Sequence, residues 1–438
     1  MTTQQPVDPT RAGNYFFSNY PAYSFWNPEQ LPEVQRVLAS TPAPGTPLIL
    51  YLHIPFCRQR CEFCFFKVYT GKSSSEVRLY LDALLAELEA AARTPYLQGR
   101  CPDYVYFGGG TPSYLSSDQL SELFAAIQTH MGWDGVKEVA FECEPGTVKE
   151  GKLQRLRDLG VTRLSLGVEH YDDKILEIAG RAHRQEEIYA AFEAARKADF
   201  PQINIDLIAG MVGETEEGWQ DCIDRTLALA PDSVTVYQME VPHNTTLYRR
   251  MQEGSEEVAP VADWETKRRW VDAAFRAFEE SGFKVGSAYT AYRGEQTRFL
   301  YRDSLWKGAD MLGIGVSSFS HLGGVHVQNH ADLEAYQPPA LAGEAPHWRA
   351  YAMNPEERWR RLFLLQMKLG NVDPRWFQSE FGVDLLAAYY SLLEPHLTPV
   401  SLASSPVSVP LPPARLPRSA RLIGSHLLSP SSPILLAL

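Results

Sequence analysis

The chain has 438 residues, 45% of them hydrophobic, with a formal net charge of −12 and a pI near 5.5. That acidic balance argues against a nucleic-acid partner, because phosphate-backbone binding is built on clustered Lys and Arg. No apolar run approaches the ~20 residues of a membrane span, and residues 1–47, with two basic side chains, lack the pattern of a signal or transit peptide; a cytoplasmic, reduced protein is expected.

In chain order, residues 1–47 read as a polar, Pro-rich arm whose aromatics Tyr15, Phe16, Phe17, Tyr20, Tyr23, Phe25 and Trp26 dock on the barrel. From about residue 48 strands and helices alternate. Leu48–His53, Asp103–Phe107, Val136–Glu142, Thr162–Val168, Ile203–Ala209 and Ser233–Gln238 have the apolar character of buried strands. Between them lie helical patterns at Ser75–Arg93, with Leu79, Leu81, Leu84, Leu85 and Leu88 expected inside, and at Ser117–His130, Lys149–Leu159, Glu186–Ala198 and Glu216–Ala230. This is the pattern of an α/β protein: a partial parallel (β/α)6 barrel over residues 48–240, with its chemistry at the carboxyl ends of the strands. Residues 241–340 form an extension, with a helix near Asp263–Ser281 and an apolar, Gly-rich segment Met311–Gly324. Residues 341–396 read as a small, mainly helical C-terminal domain, built on Glu356–Leu369 and Pro374–Phe381. Residues 397–438 hold eight prolines, three arginines and no acid, a composition that does not pack as a domain: a disordered tail or an abnormal end of the reading frame.

Cys57, Cys61 and Cys64 follow the first strand at a C-x3-C-x2-C spacing. Three thiolates so close can hold three irons of a cubic [4Fe–4S] cluster and leave the fourth iron open for chemistry. A zinc site would show C-x2-C pairs or a fourth ligand, and a disulfide would suit a secreted chain. Cys101, Cys143 and Cys222 stand singly and read as small buried residues. Gly108-Gly-Gly-Thr-Pro112 follows the second strand, either as an ordinary βα turn or as a shelf where a ligand touches backbone. Glu142, Glu169 and Asp206 end the third, fourth and fifth strands; a carboxylate there binds a polar ligand or caps a helix. Asp206, inside an apolar run, must pair with something, because an unpartnered buried charge is costly. Arg181 is a candidate partner, or an ordinary surface residue.

Tyr51-x-His-Ile-Pro-Phe-Cys, the three cysteines, Gly-Gly-Gly-Thr-Pro, Leu-Ser-Leu-Gly-Val and Asn-Ile-Asp-Leu-Ile together resemble the radical S-adenosylmethionine (SAM) family. The likeness is to its branch of oxygen-independent coproporphyrinogen III oxidases with their heme-chaperone and methyltransferase relatives. It covers residues 48–240 and, more loosely, continues to about 325; Asn14–Pro21 resembles the oxidase's N-terminal arm. The resemblance implies that Cys57, Cys61 and Cys64 ligate the cluster and that SAM takes the open iron. It implies SAM contacts from Gly109, Gly110, Thr111, Glu142, Glu169, Arg181 and Asp206, with Tyr51 and Glu169 at the reaction centre and Phe319 beside a second SAM molecule. It further implies a reduced electron donor such as flavodoxin or ferredoxin, and hydrogen abstraction by a 5′-deoxyadenosyl radical from a small-molecule substrate, a tetrapyrrole being favoured.

The chain departs from the branch at informative points. The oxidase has a further cysteine where Phe66 stands and glutamine where Glu169 stands. The chaperone has His-Asn before a Tyr-Trp pair where this chain reads Arg302-Asp-Ser-Leu-Trp306, while Val241–Tyr248 leans toward the chaperone and methyltransferase relatives. Three functions therefore stand open: oxidative decarboxylation of a porphyrinogen, heme binding for delivery, and radical C-methylation. If heme is carried, His243, His321, His326 and His330 are candidate axial ligands, but each taken singly is more readily a hydrogen-bonded loop or core histidine.

Overall fold

The computed structural model describes residues 19–253, 261–385, 387–388 and 409–410. The arm aromatics Tyr15, Phe16 and Phe17 lie outside them, as does the region 397–438 apart from residues 409–410.

Six parallel strands lie side by side: β1 (Leu48–Ile54), β2 (Tyr104–Gly109), β3 (Glu138–Cys143), β4 (Arg163–Glu169), β5 (Gln202–Ala209) and β6 (Ser233–Gln238). An arm helix, α1 (Leu31–Leu38), precedes them, and the crossovers are α2 (Ser74–Ala92), α3 (Ser117–Met131), α4 (Glu150–Asp158), the pair α5 (Asp173–Ile178) and α6 (Gln185–Lys197), and α7 (Glu216–Leu229). Serine or threonine caps start several of these helices. Ser73 accepts from the Glu76 amide while Glu76 reaches back to the Ser73 amide, and Ser116 and Gln119 do the same for α3. On α2 the apolar spacing predicts Leu79 inside along with Leu81, Leu84, Leu85 and Leu88, and Leu85 does pack, partly buried, against the core. The structure buries Val77, Tyr80, Leu81, Leu84 and Leu88 but leaves Leu79 44% exposed. The buried face follows the 3.6-residue period, and Tyr80 turns inward because its hydroxyl donates to the His53 carbonyl at 2.6 Å. Of the three single cysteines read as buried, Cys143 and Cys222 are, and Cys101 is exposed.

The barrel is open, and its sheet runs on at both edges. After β6 come α8 (Thr246–Gln252), α9 (Trp264–Glu280), the short strands β7 (Lys284–Val285) and β8 (Thr290–Tyr292), and α10 (Leu300–Trp306). The Gly-rich segment then supplies β9 (Asp310–Ile314), β10 (Phe319–Leu322) and β11 (Val325–Asn329), followed by α11 (Leu333–Leu341) and β12 (His347–Ala352). The result is one 12-stranded sheet in the order β12-β11-β10-β9-β1-β2-β3-β4-β5-β6-β8-β7. Strand β9 pairs parallel with β1, so the extension is stitched to the first strand of the barrel. Strand β12 carries the sheet past residue 340, where the composition suggests a separate helical unit; that unit begins at α12 (Pro355–Met367). It adds β13 (Asn371–Val372), α13 (Pro374–Phe381) and β14 (Val409–Pro410), which pairs with β13. Trp359, Leu362, Phe363, Val372, Phe377 and Leu385 form its own small core. No helix among the described residues is long and apolar enough to cross a membrane.

The two faces of the six strands differ in kind. Leu50, Leu52, Val105, Phe107, Val139, Phe141, Leu164, Leu166, Ile203, Ile205, Val234 and Val236 are buried under the helices. The alternate positions, on the concave face, are polar: Tyr51 and His53, Tyr106, Glu142, Arg163, Asn204 and Asp206, Thr235. These bond to one another across strands, as in Asn204 to Asp206 at 2.9 Å, Thr235 to Asn204 at 3.2 Å and Arg163 to Ser233 at 2.9 Å. Strands that bury both faces usually read as continuous apolar runs, so a polar inner row marks a face that receives something other than a helix.

The edge of this face is fixed by Glu87, buried on α2, which accepts from the Gly315 amide (2.8 Å), Asn329 (2.6 Å) and the Tyr336 hydroxyl (2.5 Å). Replacing it by alanine leaves the Gly315 amide and the Tyr336 hydroxyl without an acceptor, while Asn329 keeps the Gly315 carbonyl and Ser318. Glu87→Ala is expected to destabilise the chain by about 3 kcal/mol, read as a lowered urea midpoint at unchanged slope.

Candidate metal centre

The loop carrying Cys57, Cys61 and Cys64 leaves the carboxyl end of β1 and has little regular structure of its own, so its shape is imposed from outside. Arg58 makes a bidentate pair with Glu144 after β3 (2.9 and 2.8 Å), and Glu144 also contacts His183 at 3.2 Å. The Cys57 amide bonds to the Tyr69 carbonyl and the Tyr69 amide to Pro55, while Glu62 is bonded to Ala179 on one side and to the Leu247 amide on the other. Asn244 donates to the Phe65 carbonyl at 2.8 Å. Burial pushes the Glu144 carboxyl up, but hydrogen bonds from His183 and Arg58 more than offset it and hold it at about 2, so the pair stays charged.

Two donors are aimed at the sulfurs. The Thr111 hydroxyl lies 3.4 Å from Cys57 Sγ and Arg181 Nη1 lies 3.4 Å from Cys61 Sγ. Without metal, burial raises Cys57 to about 11 and Cys64 to about 12, and the neighbouring Cys61 adds to both. The thiols are thus within electrostatic reach of each other, and they take the thiolate form only where a cation compensates. The turn after β2 comes close against the loop. A Cβ on Gly110 would sit 3.0 Å from Cys57 Sγ, and one on Gly109, at φ +112°, would strike the His53 ring at 2.7 Å.

Three acids share the concave face beside this loop. Glu142 accepts from the Tyr106 hydroxyl and is raised by burial to about 7. Asp206, with Asn204 as its neutral partner and Arg163 further off, is raised to about 6 by the same cause. Glu169 is likewise raised by burial to about 7, opposed by Arg181 at 3.6 Å. Arg181 thus serves Glu169 rather than Asp206, and it also donates to the Gly167 carbonyl at 2.5 Å. Glu169 has φ +65°, a left-handed conformation that costs a non-glycine residue about 1 kcal/mol or more and clusters at functional sites. It lies next to a register shift between β4 and β5.

Tyr51 is on the same face, its hydroxyl 3.1 Å from His53 Nδ1 and its ring stacked 5.8 Å from Tyr106. Burial lowers His53 to about 4 and raises Tyr51 well above its usual value, so both are neutral. Tyr51 and Nδ1 share one hydrogen bond, and the other ring nitrogen, His53 Nε2, is buried without a hydrogen-bond partner among the described residues. Phe319 is further along this face, across Gly313, with its ring against Tyr23 (4.8 Å) and Trp26 (5.7 Å) of the arm. Of the four candidate histidines, His321 and His326 meet, with ring centroids 4.5 Å apart; His243 packs on Tyr248, and His330 follows β11 near His347. The sequence reading misses Arg58, Glu144, His53 and Tyr106. Only the alternation along β1 and β2 could have singled out the last two, and no local signal marks the Arg58–Glu144 pair. His170, Glu214 and Cys222 also come together, but His170 Nδ1 accepts from the Asp172 amide, so Nε2 carries the proton and donates to Glu214 at 3.1 Å. That group is a hydrogen-bonded brace.

An open parallel barrel with three thiols and three acids at its mouth defines a class. A profile described as the radical SAM superfamily matches residues 51–226. The oxygen-independent coproporphyrinogen III oxidase of Pseudomonas aeruginosa is 29% identical, over 81% of this chain and 78% of its own. The heme chaperone HemW of Mycobacterium tuberculosis is 33% identical, over 64% of this chain and 71% of its own. The solved coproporphyrinogen III oxidase (HemN) of Escherichia coli superposes with a TM-score of 0.77 at 24% identity, covering 94% of this chain and 96% of that one, which establishes the fold. The chain belongs to the radical SAM superfamily, in the branch that holds the oxygen-independent coproporphyrinogen III oxidases and the HemW heme chaperones.

That family implies a [4Fe–4S] cluster and SAM, and the residues present fit: three thiols, two hydrogen-bond donors on sulfur, and a buried histidine ring nitrogen without a partner among the described residues. Cys57→Ala, Cys61→Ala and Cys64→Ala are each expected to lose most of the iron bound on anaerobic reconstitution, whereas Cys101→Ala retains it. Iron and sulfide per chain are the measurement. Arg58→Met, which strands Glu144, should lower iron retention without removing a ligand.

Proposed function

We propose that this protein uses a [4Fe–4S] cluster on Cys57, Cys61 and Cys64, with SAM, for oxidative decarboxylation of propionate groups on a coproporphyrinogen-type tetrapyrrole. The observation that carries the reading is the make-up of the concave face. Beside the thiol loop and its acids is a floor of stacked rings: Tyr51 on Tyr106 (5.8 Å), Tyr106 on Tyr301 (4.5 Å), and Phe299 against Tyr301 (5.7 Å). Such a floor suits a flat, largely apolar macrocycle. The relatives named as oxidases support the choice, because they match along most of their length.

The bound cofactors would supply one-electron reductive cleavage of the sulfonium and hydrogen abstraction from a propionate carbon, after which loss of CO2 with transfer of one electron to an acceptor would leave a vinyl group. The chain holds and screens the reactants. Gly109, Gly110 and Thr111 would hold the amino-acid end of SAM, Glu142 and Asp206 would accept from its hydroxyls and compensate its positive charge, and Arg181 with Glu169 would complete the site. Tyr51, kept protonated by burial, stands next to the reacting centre. Phe319, on the same face, borders the proposed second SAM position. The exposed pair Phe65–Phe66 follows Cys64 directly and offers an apolar surface to a reduced flavodoxin or ferredoxin.

A second reading, heme binding for delivery, is supported by the relatives named heme chaperones and by Phe66 in place of a further cysteine. Anaerobic incubation of the reconstituted protein with SAM, reductant and either coproporphyrinogen or heme separates the readings. The proposal expects 5′-deoxyadenosine and a decarboxylated product by mass spectrometry. A Soret band with heme and no turnover of porphyrinogen would replace it by the chaperone reading, and S-adenosylhomocysteine would replace it by C-methylation.

The raised acids set a pH dependence. Glu142 and Asp206 carry protons below about 7 and about 6, so the face loses negative charge as pH falls through that window. Affinity for SAM, a sulfonium cation, is expected to fall between pH 7.5 and 5.5, and Glu142→Gln to flatten the upper part of the decline by about tenfold; isothermal titration across that range measures it.

A further inference from the structure

The concave face does not end at the stacked rings. His321 on β10 pairs in register with Met311 on β9 and with His326 on β11. Met311 in turn accepts from the Tyr301 hydroxyl at 3.7 Å. Beyond the aromatic floor, therefore, the face continues into two buried histidines, His326 stacking on Trp26 of the arm at 4.9 Å. Arg361 on α12 acts electrostatically on both, and also on Lys368, two helical turns on and just past the end of α12.

These cations have no counter-charge among the described residues. Arg361 is 6% exposed, and its Nε and Nη1 have no acceptor there. Its neighbours on the helix are served differently: Arg358 donates to the Met353 and Gly323 carbonyls, and Arg360 pairs with Glu356. Lys368 is 7% exposed, with its ammonium 5.6 Å from the Trp306 ring. The titratable groups that influence Arg361, Lys368, His321 and His326 are one another, Arg358 and, on Arg361, the Tyr23 hydroxyl; no carboxylate among the described residues contributes. A guanidinium withdrawn from water with its donors idle is strongly unfavourable, and natural cores pair such groups. Two unpaired cations at one end of a ligand-facing surface are what an anionic ligand would complete.

We infer that Arg361 and Lys368, backed by the rings of His321 and His326, form a carboxylate-binding site that receives propionate groups of the tetrapyrrole. The ligand's identity rests on the function proposed above; the anion site rests on the unpaired cations alone. The guanidinium fork matches a carboxylate in bidentate geometry, and Lys368 adds a point charge. A macrocycle stacked on Tyr106 and Tyr301 would have one edge held at α12 and another turned toward the thiol loop.

The test uses the cluster-loaded full chain and three probes: coproporphyrin III, its tetramethyl ester, and citrate at constant ionic strength. Absorbance titration is expected to show the free acid binding at least about tenfold more weakly to Arg361→Met and to Lys368→Met, with ester affinity unchanged. Citrate is expected to raise the thermal midpoint of the parent protein and of neither variant, and the ligand-free Arg361→Met protein should unfold at a higher temperature than the parent. Unaltered binding of the free acid in both variants overturns the site. So does citrate protection that persists undiminished in Lys368→Met, or a lowered midpoint in ligand-free Arg361→Met, which marks a structural cation. Citrate protection that depends on Arg361, with neither porphyrin binding the parent, keeps the anion site and removes the tetrapyrrole reading.

Discussion

Three thiols have to be held as a set in a loop that has little regular structure to hold them. Burial and mutual proximity both work against the thiolate form, as the raised Cys57 and Cys64 show, so the protein must supply geometry in advance and leave the compensating charge to the metal. It does so by tying the loop to three separate places on the barrel. The Arg58–Glu144 pair anchors it to the end of β3, the Glu62 amide to the α5–α6 junction, and the Glu62 and Phe65 carbonyls to the segment around α8. The turn after β2 closes the remaining side, where no side chain larger than hydrogen fits at position 110. Every other functional residue is placed relative to that loop.

The concave face stores cost of a second kind. Glu142, Glu169 and Asp206 are each held above the usual carboxylate range mainly by burial, and Glu169 adds a strained backbone. None of this improves the fold by itself; apolar residues at the same positions would pack at lower cost. The acids at one end of the face and the unpaired cations at the other have opposite sign, with a neutral aromatic floor between them. Such a distribution orients a ligand that is cationic on one side and anionic on the other, and it discourages the reverse orientation.

Much of this architecture is legible in the order of residues alone. The six strands stand out because each buries one face under helices and begins or ends in a turn signal, and the three cysteines carry their meaning in their spacing. Glu142, Glu169 and Asp206 are visible as acids closing apolar runs. The features that escape such a reading depend on partners far apart in the chain. Arg58 finds Glu144 across 86 residues, and nothing near either announces it. The segment from Met311 to Ala352 is harder to read as sheet because its strands are short, antiparallel and interrupted by His, Gln and Gly. Leu79 misleads because leucines crowd α2 on more than one side, and packing selects the face that continues the stripe from Val77 through Leu88. Arg361 looks like one arginine in a charged helix; its isolation emerges only once Arg358 is seen to donate to two carbonyls and Arg360 to pair with Glu356.

The pairing of β1 with β9 has a consequence for how the molecule comes into being. Leu48–Leu52 lie against Asp310–Ile314 in the finished sheet, so the strand that launches the thiol loop lacks one of its neighbours until most of the chain has been synthesised. Non-local pairings of this kind are slow, and partly assembled sheets expose unpaired edges. During that interval the three cysteines have left the ribosome while the walls that will shield them are incomplete. A chain stalled before residue 310 would therefore present bare thiols and a naked strand edge.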